Sequence, residues 1–151
     1  MKLIRKLKTF SKLEWEQQLL FLEAFFYLGY GRFLKSRPFA KVAPTLGEYM
    51  EETAMIENPS NEPMLRDISY AVHKMSKYTF WESECLVKAI AAMKMLQRRK
   101  IESTLYLGTG KDKDGRLIAH AWLRSGPKYV TGAETMENFT IVGKFSRIIS
   151  E

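Results

Sequence analysis

Cys85 is the only cysteine among 151 residues, and it stands at the front of "CLVKAIAAMKMLQRRK", a stretch with helical periodicity. A thiol in the first turn of a helix sits among backbone N–H groups without intrahelical partners, where the helix dipole favours an anion. Cys85 is therefore a candidate nucleophile, and the same N–H groups can hold the oxyanion formed when a thiolate attacks an acyl carbon. The plainer alternative is a buried, inert filler. A nearby base would decide between them. The chain offers two histidines, His73 and His120. His73 lies in a helical stretch of mixed polarity and reads as structural. His120 lies in "IAHAWL", an apolar run of strand character, in which His120, Trp122 and Arg124 share one face and Ala119, Ala121 and Leu123 the other. An imidazole in mid-strand is either a hydrogen-bonded core residue or a general base brought against Cys85 by laying the sheet on the helix. Ala89 and Ala92, four and seven residues after Cys85, fall on its face of the helix and are small enough to permit that approach.

The elements that must position these groups change character midway. From Ser11 to about Lys35, Leu13, Leu20, Ala24 and Tyr27 or Leu28 recur near helical spacing, with Ser11 as N-cap and Glu14 as its capping-box partner. "SRPFAKVAPTLGEYMEE" predicts a turn and a short helix, and "ENPSNEP" (57–63) a loop. Helices are expected over Met64–Lys77 and Glu84–Arg99. After them the period falls to two. "STLYLGTG" and "LIAHAWLRSG" flank "KDKDGR", an Asp-Gly turn, and "KYVTG" and "FTIVGKF" are two further short strands. Helices first and an antiparallel sheet afterwards make an α+β fold. Residues 1–56 read as a helical docking region and 57–151 as the core, within one compact unit.

Bulk composition narrows the function classes. A net charge of +7 favours an acidic partner. No RNA-binding aromatic signature or helix-turn-helix accompanies it, so nucleic acid is not expected. A lone cysteine forms no internal disulfide, and no Cys/His spacing forms a zinc site. "KDKDGR" lacks the twelfth-position glutamate of a calcium loop. Gly108 and Gly110 form no phosphate-binding motif. No cofactor or metal is inferred. "LLFLEAFFYLGYGRFL" (19–34) is interrupted by Glu23, Gly29, Gly31 and Arg32 and is shorter than the roughly 20 residues of a membrane span. A cytoplasmic location is expected. The basic residues near this segment cluster in "KLIRKLK" and "RFLKSR" rather than along one face, which favours docking to a protein over a weak membrane-surface contact.

Cysteine first on a helix and histidine later on a strand is the layout of papain-like and transglutaminase-like enzymes. With "CLVKAIAAMKML", "STLYLG" and "AHAWLRSG", and upstream "FAKVAPTLG" and "WESECL", the chain resembles the leader peptidases of lasso-peptide maturation over about Trp15–Phe145. These belong to the transglutaminase-like cysteine protease superfamily, and the short length resembles the split form, in which a separate small protein recognises the leader. The resemblance implies Cys85 as nucleophile and His120 as general base. The precursor peptide is then the substrate, and a leader-recognition protein and an ATP-using macrolactam synthetase are partners. It implies cleavage at the leader–core junction, with Thr usually the second residue before the cut bond. An acid is expected about a dozen positions after the histidine, where this chain has Thr131 and Gly132. Glu134 is the nearest carboxylate, with Thr131 or a backbone carbonyl as alternatives. An acyl transferase using the same apparatus is the nearest chemical alternative, and a non-catalytic basic docking protein the next.

Overall fold

The computed structural model describes residues 1–149. In chain order it contains α1 (Lys2–Ser11), α2 (Trp15–Lys35), α3 (Phe39–Leu46), β1 (Glu48–Tyr49), α4 (Glu62–Ser76) and α5 (Cys85–Arg98). β2 (Ser103–Lys111), β3 (Leu117–Ser125), β4 (Lys128–Thr131), a 3-10 helix (Ala133–Asn138) and β5 (Thr140–Arg147) follow. The strands form one antiparallel sheet of order β1-β5-β2-β3-β4, so the chain is α+β as expected. The hairpin turn is built as its residues predict. Asp112 Oδ1 accepts the N–H groups of Asp114 and Arg116, and Gly115 takes φ +76, a conformation a Cβ disfavours.

Side-chain alternation gives the sheet two different faces. Leu105 lies opposite Leu123 and Leu107 opposite Ala121; with Val130 and Phe145 these residues face α5. Ala89, Ala91 and Ala92 of α5 are fully buried, and their short side chains let neighbouring backbones come close to the helix. The other face carries Tyr106, Trp122 and Arg124. The Tyr106 and Trp122 rings stack at 5.6 Å, and Arg124 is 1% exposed. Its guanidinium donates to Tyr106 Oη at 3.0 Å, Gly126 O at 2.8 Å and Thr53 O at 3.0 Å, tying the segment before α4 to the sheet. Desolvation raises the Tyr106 hydroxyl above its usual range, partly offset by Arg124. Arg124→Met strands those buried acceptors, and a loss of about 3 kcal/mol in a denaturant titration is the expected result.

The N-terminal helices share this core. α2 contributes Phe21, Ala24, Leu28 and Leu34, α3 contributes Val42 and Leu46, and β1 pairs with β5. Glu23, which interrupts the apolar run of the sequence, is used: Arg99 meets it with two bonds of 2.8 and 2.7 Å and Arg98 lies at 3.1 Å, fastening α2 to the end of α5. Gly31 fits the same contact, since a Cβ there would stand 3.0 Å from the Val87 carbonyl. One expectation is corrected at the start of the chain. Ser11 ends α1 and bonds the Lys8 carbonyl rather than capping α2, whose N-cap is Glu14 without a side-chain bond. "KLIRKLK" forms most of a separate helix, α1, and Gln18 Nε2 donates to Leu13 O at 2.8 Å in the link to α2.

Candidate active site

Cys85 is the first residue of α5 and half-buried. Glu84 before it is extended, which starts the helix abruptly, and the first α5 bond runs from Lys88 N–H to Glu84 O at 2.9 Å. Glu84 makes no side-chain cap, so its carboxylate does not occupy the first-turn amides after Cys85. The approach to Cys85 is held from both sides. Thr79 Oγ1 and Ser83 Oγ lie 2.8 Å apart, and Glu82 accepts from Lys35 Nζ at 2.8 Å and from Glu84 N–H at 3.1 Å. Lys35 holds the Glu82 carboxyl below its ordinary 4.5, against desolvation, with Glu84 N–H and Arg32 adding to the effect. A depressed carboxylate stabilises the fold above its unfolded value, and that contribution is lost as pH falls through the lower folded value. The stability gap between wild type and Glu82→Gln, about 0.5 kcal/mol for so exposed a pair, should therefore be full above about pH 5 and close on acidification.

His120 sits on β3 opposite Gly108. Its ring lies 5.7 Å from Trp122 and 4.9 Å from Phe139. A Cβ on Gly108 would come within 2.8 Å of Trp122 and 2.9 Å of Phe139, so that glycine makes room for the aromatic group. His120 Nε2 lies 2.7 Å from the Gly132 carbonyl oxygen. A carbonyl only accepts, so Nε2 carries the hydrogen and Nδ1 of the neutral ring is left as the acceptor. Gly132 can do this because of its shape. It has φ +76, and a Cβ there would lie 2.4 Å from Ala121 O.

The candidate residues are therefore arranged differently from the simplest expectation. α5 packs on the Ala121 and Leu123 face, whereas His120 lies with Trp122 on the other face, so helix-on-sheet contact does not press imidazole onto thiol. Among the described residues no hydrogen bond joins Cys85 and His120. β4 pairs with β3 only from Leu123 to Ser125, so the edge of β3 beside His120 lacks a strand neighbour on that side. Glu134 is exposed on the 3-10 helix, and the group bonded to the ring is Gly132 O instead. Thr131 is buried opposite Leu123, its Oγ1 unpartnered. His73 Nδ1 lies 2.7 Å from Ser69 O one turn back, a structural role as expected. Of the alternatives for the group that orients His120, the bonded one is the backbone carbonyl of Gly132. Gly108, read only as lacking a phosphate-binding motif, is the glycine that leaves room for the ring and its aromatic neighbours.

A cavity of about 340 Å3 beneath residues 53–58 and another of about 680 Å3 between α2 and α4 are lined without Cys85 or His120. No described helix is long and apolar enough to cross a membrane. No curated protein and no solved structure matches the chain. Residues 31–144 match the transglutaminase-like superfamily, which includes cysteine proteases and acyl transferases. That span takes in the Cys85 helix, the His120 hairpin and most of β5, and with it the chain belongs to the transglutaminase-like superfamily.

Proposed function

We propose that this protein is a cysteine peptidase that removes the leader from a ribosomally made lasso-peptide precursor. The observation that carries the reading is the Gly132 bond to His120 Nε2, which orients the ring and leaves Nδ1 to take a proton. In the proposed reaction the Cys85 proton passes to His120 Nδ1 once thiol and imidazole are brought within reach of each other. Sγ attacks the carbonyl at the leader–core junction, and the oxyanion rests on the uncapped amides of the Cys85 turn. Collapse breaks the C–N bond, His120 returns the proton to the departing amine, and water hydrolyses the thioester to free the leader. A leader-recognition protein and a macrolactam synthetase complete the reading as partners. The exposed row Trp15, Leu19, Leu22 and Phe26 along α2 is available to either.

The test is incubation of the full chain with a synthetic precursor and its leader-binding protein, with products identified by mass. Release of intact leader and core with free termini supports the peptidase. Transfer of the leader acyl group to an added amine, in preference to water, would instead assign a transferase.

A further inference from the structure

α1 is a helix none of whose residues is buried, and it separates two kinds of side chain cleanly. At about 100° per residue, Leu3, Ile4, Leu7 and Phe10 fall within an arc of about 120°, with Lys2, Arg5, Lys6, Lys8 and Lys12 outside it. Phe10 packs against the protein core, which anchors the helix, while Leu3, Ile4 and Leu7 remain 68%, 59% and 58% exposed. No acidic residue interrupts the basic face. Lys6 Nζ stands 4.6 Å from the Tyr78 ring, so α1 lies beside the segment leading to Cys85, where Phe80 is 92% exposed.

We propose that α1 is an interfacial helix that seats the protein on an anionic lipid bilayer. An aliphatic stripe bordered by lysines whose stems can lie along the acyl boundary while their charges reach phosphates is the pattern such surfaces select. The charge complementarity is one-sided, all positive on the protein. The exposed aliphatic residues beside that charge call for an apolar layer as well. A planar, deformable, negative surface meets both features.

The experiment is co-sedimentation of the full chain with vesicles of phosphatidylcholine alone and of phosphatidylcholine mixed with phosphatidylglycerol. Pelleting with the mixed vesicles only, released at about 0.5 M salt, is the expected result. The Arg5→Gln/Lys8→Gln double variant should lower the partition coefficient about fivefold for each charge removed, and Leu3→Ser/Ile4→Ser/Leu7→Ser should abolish pelleting. Circular dichroism checks that each variant is folded, and the charge variant decides the matter if the serine variant is not. No pelleting with anionic vesicles, equal pelleting with neutral ones, or binding unchanged by the charge variant overturns the proposal. Binding is read without cleavage, and Cys85→Ala should bind as the wild type does, so failure here leaves the peptidase reading standing.

Discussion

Cys85→Ala is expected to lower leader cleavage by at least about 10^4-fold, because removal of a nucleophile leaves only binding and oxyanion stabilisation. The fold should survive. The side chain is half-buried against the core, and its truncation removes one sulfur atom, costing about 1 kcal/mol. A denaturant titration checks the stability, and mass analysis of precursor incubated with equal amounts of wild type and variant checks the activity. Iodoacetamide supplies an independent readout. Cys85 is the only thiol in the chain, so loss of activity should track a single alkylation event. Processing by the alanine variant at the wild-type rate would exclude Cys85 as nucleophile.

The second large effect is expected at His120. His120→Ala should reduce cleavage by about 10^2- to 10^4-fold, the range for a general base. The bond from Nε2 to Gly132 O makes a sharper comparison possible. Gly132→Ala places a Cβ at φ +76 against Ala121 O. It should cost about 2 kcal/mol or more and lower kcat without raising KM, since the ring loses its positioning partner while the peptide surface is untouched. Glu134→Gln should leave kcat within about twofold, because an exposed carboxylate unbonded to the ring contributes no orientation. A kcat that collapses in Glu134→Gln but survives in Gly132→Ala would reverse the assignment and return the orienting role to the carboxylate. An aspartate introduced at 132 would meet the same collision as alanine. The local backbone thus explains why this position holds no acid.

Residue order was enough to read the α+β succession, the Asp-Gly hairpin, the helix with Cys85 in its first turn and the four strands after it. Each of these rests on local periodicity or turn chemistry, which neighbours in sequence supply. The sharing of one face by His120, Trp122 and Arg124 was also legible, because strand alternation is a local rule. Which face would meet α5 was not. That choice depends on burying Ala121, Leu123, Leu105 and Phe145 together against the alanines of α5, a sum over distant segments. The same holds for β1, a two-residue strand recognisable only by its pairing with Ser146 and Phe145. Gly132 as the partner of His120 depends on a φ and a carbonyl direction set by the chain crossing Ala121. The break between α1 and α2 likewise turned a basic cluster into a two-faced helix. The chemical groups were present in the one-dimensional order. Their facing, edges and backbone partners were decided by long-range burial, which alternation and propensity do not encode.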